Sequence, residues 1–352
     1  MAQPEYTLPA EWEPQSGVML TWPNADTDWK PYLTEITATY VTLAKAIASR
    51  ERLVVAAKDA DGVAALLRSS LSETEMANVM VVECDLNDTW ARDHGPITLR
   101  NTQNGSLKLL DFKFNGWGEK FDWQKDNLIT ATLYGKGIFA ATLESHGDFV
   151  LEGGSIESDG KGTVFTTAQC LLAPHRNQPL SEAEIGERLK ETLGAERVAW
   201  LRHGNLVGDD TDGHIDTIVR VCPDDTLLYV GCDDEADEQY ADFKALEAEL
   251  RALTTMDGKP YRLLKLPMPD RMEYDGERLP ATYANFLIVN GAVIVPVYGQ
   301  KDKDEEAKAI VAEAFPGREV VAVDASVIVR QHGSIHCLTM QLPEGAIKTN
   351  MQ

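Results

Sequence analysis

The chain has 352 residues, with 33 Lys and Arg against 56 Asp and Glu, so its formal charge is −23 with histidine neutral. An apolar fraction of 43% beside 25% charged residues describes a globular chain and excludes intrinsic disorder. A field this negative repels phosphate backbones, which argues against a nucleic-acid partner, and concentrates small cations or basic peptides at any acidic cleft.

The N-terminal stretch MAQPEYTLPAEW has neither the basic start nor the apolar run of a secretory signal. No segment has the unbroken apolar length of a membrane span, so a cytoplasmic protein is expected. The cysteines, Cys84, Cys170, Cys222, Cys232 and Cys337, are five in number and form no CxxC pair. Neither a disulfide framework nor a zinc ribbon is expected, and a reduced thiol stays available for chemistry.

In chain order, Ile36, Tyr40, Leu43 and Ile47 recur at helical spacing and lead to a strand-like run, Leu53–Ala57. A weaker helix at Asp61–Leu71 leads to Val79–Cys84, and a helix after Asp122 to Phe149–Leu151. Ser181 with Glu184 three residues on is a capping-box pattern, opening a helix that leads to Arg197–Leu201. Asp234–Leu253 pairs with Arg262–Leu266, and Asp302–Phe315 with Glu319–Asp324. From the second onward these helices start about 55–65 residues apart, which suggests a repeated supersecondary unit.

Five polar inserts follow the pairs: NDTWARDHGP at 87–96, LEGGSIESDG at 151–160, TDGHIDT at 211–217, TYANFL at 282–287 and HGSIHCL at 332–338. Units arranged about an axis would bring those inserts to one central site. No Gly/Ser or Pro tract interrupts the period, so one domain over residues 1–352 is expected. A two-domain α/β enzyme whose alternation imitates a repeat is the competing architecture.

The inserts hold the reactive inventory. Asp88, Trp90, Arg92 and Asp93 share one loop, where two carboxylates and an indole suit a flat cation. Arg92 pairing with either acid as scaffolding is the other reading. Glu152 ends an apolar strand before Gly153–Gly154, whose missing side chains let another group approach closely; a plain turn glutamate is the simpler account. His214 and Asp216, two apart on an expected strand, would share a face. A metal pair or a core histidine satisfied by the aspartate are the rival readings. Cys337 with an earlier histidine and acids has the inventory of covalent catalysis. His336, adjacent on an expected strand, would face away and is the weaker partner, while the other four cysteines read as buried filler.

Together these residues, with GVMLTWPNADTDW, DFKFNGWG, LEGGSIESDGKGTVFTT, DDTDGHIDT, YANFLIVNGAVIVPVYG and GSIHC, resemble the agmatine deiminase family, the bacterial-type peptidyl-arginine deiminases of the guanidino-group-modifying superfamily. The resemblance implies the pentein fold, a five-bladed α/β propeller of ββαβ-type repeats with pseudo-fivefold symmetry. It implies Cys337 as nucleophile, His214 as general acid/base, Asp93 and Asp216 as the guanidinium grip, Glu152 as a further orienting acid and Trp90 as an aromatic wall, with Asp88 beside it. No metal, calcium or organic cofactor is implied.

The family's glycine-rich run ending in Asn before Ile-His-Cys is here RQHGSIHC, which puts the contacts of the substrate's distal end in question. Asp210 would meet the ammonium of agmatine, whereas Arg330 would meet a carboxylate or backbone of arginine. The expected activity is hydrolysis of agmatine, a small cationic guanidino substrate, to N-carbamoylputrescine and ammonia. Peptidyl-arginine deimination, amidino transfer and a silent acidic polyamine binder are the competing functions. A homo-oligomer is compatible with the sequence, which does not decide it.

Overall fold

A computed structural model describes residues 4–348, so the first three residues of the stretch compared with a signal lie outside the described residues. Five sheets share one strand plan: a first strand antiparallel to a central strand, then a helical crossover to a third strand parallel to the central one. Four of them are Ile97–Asn101, Leu107–Lys113 and Thr142–Val150; Ile156–Ser158, Thr163–Thr167 and Arg197–Leu201; Val219–Cys222, Thr226–Gly231 and Arg262–Pro267; and Leu287–Val289, Ala292–Val297 and Glu319–Asp324. The fifth joins both ends of the chain. Thr339–Pro343 pairs antiparallel with Gln15–Thr21, which pairs parallel with Arg52–Ala57. That pairing anchors the insert bearing Cys337 against the N-terminal part of the chain.

The central strands Thr163–Thr167 and Thr226–Gly231 are buried along their whole length, as strands covered on both faces must be. Each crossover helix buries one stripe at three- and four-residue spacing. In Leu33–Ala48 the stripe is Ile36, Tyr40, Leu43, Ala44 and Ile47, and in Tyr240–Ala252 it is Phe243, Leu246 and Leu250. Each large apolar side chain so buried contributes roughly 1.5–3 kcal/mol. Lys301–Ala314 also buries Asp304, which accepts from Tyr283 Oη at 2.7 Å and Tyr298 N at 3.1 Å, fastening the fourth insert to its helix.

The Ser181–Glu184 box forms with both reciprocal hydrogen bonds, opening helix Glu182–Leu193. That helix ends at Gly194, at φ +65°, where a Cβ would lie 1.8 Å from the carbonyl oxygen of Tyr6. Only glycine fits there.

The structure departs from expectation in three elements. Helix Ala60–Ser70 and strand Val79–Glu83 start no new unit; the strand adds a fourth member to the sheet of Arg52–Ala57. The helix expected after Asp122 is Ile129–Gly135, and its strand is Thr142–Val150, starting before the expected Phe149–Leu151. This is an outer strand with Glu144, Ser145, Gly147 and Asp148 exposed, so hydrophobicity marks only its buried end. The helix expected from Asp234 starts at Tyr240. No helix among the described residues is long and apolar enough to cross a membrane.

Candidate functional site

The five polar inserts each lead into the first strand of a sheet, the second containing its strand Ile156–Ser158, and they touch one another in order. Gly154 N donates to Asp93 Oδ1 at 2.9 Å, and His214 Nδ1 lies against Gly154. Asn285 Nδ2 donates to Asp216 O at 3.3 Å, while Asn285 Oδ1 accepts from Cys337 N at 3.1 Å. Arg92 N donates to Cys337 O at 3.1 Å and returns the ring to the first insert.

The third insert differs from its expected form. His214 caps a short helical turn, Ile215–Thr217, and the strand begins at Val219, so His214 and Asp216 do not lie on a strand face. Cys337 likewise precedes strand Thr339–Pro343, so strand alternation does not apply to His336 and Cys337. Short turns let consecutive polar side chains converge where a strand would separate them.

The convergence is tight. A Cβ placed on Gly154 would come 2.6 Å from His214 Nδ1, 2.9 Å from Asp93 Oδ1 and 3.1 Å from Asp216 Oδ2. Cys337 Sγ lies 3.6 Å from Asp216 Oδ2, and His214 Nδ1 lies 3.7 Å from Asp93 Oδ1. Neither nitrogen of His214 nor Oδ1 of Asp216 has a hydrogen-bond partner of normal geometry, although all three are buried. Unpartnered buried polar atoms are rare, and here three of them belong to two residues that meet at Gly154.

Electrostatics divide these groups. Burial, reinforced by Asp216 and Asp93, pushes the Cys337 thiol well above its usual range. Burial works against the charged form of His214, but Asp93, Cys170 and Asp216 outweigh it and hold the imidazole well above its ordinary value. Burial raises Asp93. Burial also opposes ionisation of Asp216, yet His336, His214 and Arg220 lower it overall.

A narrow cavity of about 30 Å3 reaches Asp93 and Cys337, while His214 and Asp216 are not among its lining residues. Trp90, Asp93, Trp117 and Cys337 line it, Asp28, Asp88, Asp209 and Asp210 give it an acidic wall, and Gln331 and His332 lie beside them in the lining. Asp88 accepts from the indole nitrogens of both Trp29 and Trp90 at 3.0 Å, so it fixes the aromatic wall as well as lining the cavity. Burial raises its carboxyl to about 6. Asp210 also reaches about 6, through burial and then Asp209. Gly333, the one glycine kept in RQHGSIHC, has no room for a side chain, since its Cβ would lie 2.1 Å from the Trp90 ring. A separate cavity of about 70 Å3, lined by Pro9, Glu11, Glu13, Glu157 and Gln341, holds no thiol and no unpartnered imidazole.

Three expected residues stand elsewhere. Arg330 is absent from the cavity lining; it stacks on Tyr32 and Tyr274 and faces Glu35 at 3.7 Å. Glu152 is fully buried behind His214 and accepts from Arg176 Nε at 2.7 Å. Arg92 pairs with neither Asp88 nor Asp93 but with Glu11, at 3.0 Å, and Gln341. Each of these guanidinium groups is held by partners from elsewhere in the sequence.

Trp117, Asn285 and His336 were not assigned from sequence. Trp117 Nε1 donates to Asp93 Oδ2 at 3.0 Å, and its signal in the sequence is the motif DFKFNGWG, to which no role attaches there. His336, read as the weaker partner, is 2.7 Å from Asp216. Cys170 is buried as expected, but its thiol lies against His214 rather than in the apolar core alone.

Glu152, Cys170 and His214 each place one ligand atom within 4.8 Å of the others, a donor set of the type zinc accepts. Arg176 already neutralises Glu152, and His214 is held protonated, so a cation would have to displace both a charge partner and a proton. A second trio, Glu11, Glu157 and His336, is likewise occupied by Arg92 and Arg220.

Comparison with known proteins places this arrangement in a class of guanidino-group enzymes. The model of the Porphyromonas-type peptidyl-arginine deiminase family matches residues 7–343, and the chain belongs to that family. An agmatine deiminase of Stutzerimonas stutzeri is 36% identical over 97% of this chain and 96% of its own. A Campylobacter jejuni agmatine deiminase, solved as a Cys-to-Ser variant with substrate bound, is 37% identical with a TM-score of 0.88, covering 97% of both chains. A Porphyromonas gingivalis structure, provisionally named an arginine deiminase, is 47% identical with a TM-score of 0.92, covering 97% of this chain and all of that one. A Microseira wollei amidinotransferase, 14% identical with a TM-score of 0.52 over 97% of this chain and 98% of its own, shares the fold.

Proposed function

We propose that the chain is an agmatine deiminase, a hydrolase that converts the guanidinium of agmatine to a ureido group and releases ammonia. The observation that carries the reading is the meeting of unpartnered His214, Asp93 and Asp216 Oδ2 at Gly154, with Cys337 Sγ 3.6 Å from that same oxygen of Asp216. The relatives named as agmatine deiminases support it.

Delocalised charge makes a guanidinium carbon a poor electrophile, so the grip must fix its plane and aim that carbon at sulfur. Asp93 and Asp216 bind its N–H groups from two sides while Trp90 and Trp117 bound its faces. The incoming cation offsets the two carboxylates that hold the thiol neutral, and Cys337 gives up its proton to solvent as the substrate seats. The thiolate then adds to the carbon. His214, protonated beforehand, hands its proton to the departing amine, which leaves as ammonia. Neutral His214 takes a proton from water, hydroxide adds to the thiouronium, and the C–S bond breaks as the hydroxyl proton passes to the leaving sulfur, which returns the Cys337 thiol and the neutral urea. Glu152 and Arg176 act from behind by fixing the space in which His214 sits.

The distal end favours a cation. The cavity is lined by Asp28, Asp88, Asp209 and Asp210 and by no lysine or arginine. The ammonium of agmatine would meet Asp210 and draw it to the ionised form, whereas the carboxylate of free arginine would meet like charges. Arginine within a peptide is the second reading, favoured by the match to the Porphyromonas-type peptidyl-arginine deiminase family. A panel of agmatine, free arginine and an arginine-containing peptide, assayed for ureido product, tests this. Turnover of agmatine that vanishes in Cys337→Ala is expected; product from the peptide alone would reject the substrate, and an active Cys337→Ala the nucleophile.

We infer further that the five sheets are the blades of an α/β propeller with pseudo-fivefold symmetry in one catalytic domain. The common strand plan and the cyclic contact of the inserts support this reading. A cytoplasmic setting without a nucleic-acid partner belongs to it on composition alone.

A further inference from the structure

We propose that His336 sets the direction in which Asp216 presents its free oxygen, and that Glu11, from the N-terminal segment, sets His336. The inference rests on the guanidinium-grip reading of the site and adds two positioning residues that lie outside the cavity.

The His336 ring is fully buried between carboxylates. Its Nδ1 lies 2.7 Å from Asp216 Oδ2, and its Nε2 lies 2.9 and 3.0 Å from the two oxygens of Glu11. A ring that donates from both nitrogens is held at both ends, and a carboxylate held through one oxygen keeps the other in a fixed direction. That other oxygen, Oδ1 of Asp216, is buried with no partner in the protein. An ion-pair cluster serving stability alone would be expected to satisfy both oxygens, because a bare one is costly. A guanidinium N–H is the donor that would satisfy it.

The oxygen held by His336 is also the one 3.6 Å from Cys337 Sγ, so the free oxygen is the one left for the guanidinium. Glu11 is anchored in turn: Arg92 Nη1 donates to it at 3.0 Å, Arg220 Nη2 at 2.5 Å and Gln341 Nε2 at 3.0 Å. A path of direct contacts therefore runs from the N-terminal segment through Glu11, His336 and Asp216 to the thiol. Glu11 and His336 are 325 positions apart, and pairing of the two chain ends brings them together.

Asparagine and glutamine separate the two contacts of the ring. The amide nitrogen of Asn falls near the place of Nδ1 and that of Gln near the place of Nε2, so His336→Asn keeps the hold on Asp216 and His336→Gln keeps only the hold on Glu11. The readout is the rate at which two reagents label Cys337. Chloroacetamidine carries an amidinium that must be gripped, while iodoacetamide is neutral and reports the thiol itself.

For chloroacetamidine we expect His336→Asn within about twofold of the parent and His336→Gln about tenfold slower, the effect of one charge-assisted hydrogen bond. Iodoacetamide rates and melting temperatures should match the parent in both. Glu11→Gln, which keeps an acceptor for Nε2 and removes the charge, should slow chloroacetamidine alone by about threefold; it decides the matter if the His336 variants do not fold. Equal slowing with both reagents, an Asn variant no faster than the Gln variant, or an unaffected Glu11→Gln would overturn the proposal. Labelling that follows the expected pattern in a protein making no ureido product from any member of the substrate panel would retain the positioning and reject the deiminase reading.

Discussion

Trp117 donates its indole N–H to Asp93 Oδ2 at 3.0 Å, from a turn in which Trp117 itself sits at φ +54° between Gly116 and Gly118. Gly154 N serves the other oxygen, so both oxygens of this buried carboxylate have a fixed donor. Burial already raises the Asp93 carboxyl, and loss of a donor to the ionised form raises it further. Trp117→Phe should keep the fold and lower kcat/KM about tenfold or more at neutral pH, the scale of one hydrogen bond to a charged group. The acid limb of its pH profile should move to higher pH. A profile that falls uniformly without moving would mean that Trp117 only packs.

The pair behind the imidazole predicts a stability effect. Arg176 and Glu152 are both fully buried in their side chains, and Arg176 also donates to Asp212 Oδ2 at 2.8 Å and Thr211 O at 2.9 Å. Arg176→Met would strand an uncompensated carboxylate beside His214 and should cost about 3–5 kcal/mol in urea unfolding. Adding Glu152→Gln to it should recover part of that loss. If the double variant proves no more stable than Arg176→Met, the charge on Glu152 is not what the arginine compensates.

Legibility in the sequence followed the range of the interaction. Ser181 with Glu184, the strand Arg197–Leu201 and the strand Glu319–Asp324 depend on neighbours a few residues away, and the structure has them where they were read. Cys337, His214, Asp93 and Asp216 were recognisable because reactive side chains in polar segments are chemically distinctive, and the structure gathers them. Glu11 with His336, Asn285 with Cys337 and Trp117 with Asp93 form only when separate sheets dock, and no local periodicity encodes them. Arg330 misled for a related reason. Its nearness to Cys337 in sequence says nothing of Tyr32 and Tyr274, whose rings hold it outside the cavity.

Glu51, far from the cavity, predicts the pH dependence of stability. It accepts from Asn290 N at 2.8 Å, its other oxygen has no partner, and burial raises its carboxyl from 4.5 to about 7. Between those values the folded protein keeps a proton that the unfolded chain has released. The stability tied to this group is therefore complete below pH 4.5 and is lost as pH rises through 7. Glu51→Gln cannot titrate, so its stability relative to the parent should improve by roughly 2–3 kcal/mol between pH 5 and pH 8. Urea unfolding of both proteins at the two pH values checks this, and a difference that stays constant would refute it.

Gly153 and Gly154 predict opposite outcomes for one substitution at adjacent positions. A Cβ on Gly153 would meet the carbonyl oxygen of Arg92 at 2.2 Å, a backbone atom within the ring of inserts. Gly153→Ala must therefore shift main chain and should lower the melting temperature. The three atoms nearest to a Cβ on Gly154 are all in side chains: His214 Nδ1 at 2.6 Å, Asp93 Oδ1 at 2.9 Å and Asp216 Oδ2 at 3.1 Å. Those side chains can turn away at modest cost in stability, but they are the acid/base and the grip. Gly154→Ala should thus fold with a near-parental melting temperature and lose on the order of a hundredfold or more in kcat/KM, because a displacement of about 1 Å is enough to cost that much. Iodoacetamide should still reach Cys337, since the thiol is not among the atoms that the new methyl displaces. Comparable activity in Gly154→Ala and the parent would mean that the guanidinium does not sit where these three side chains meet.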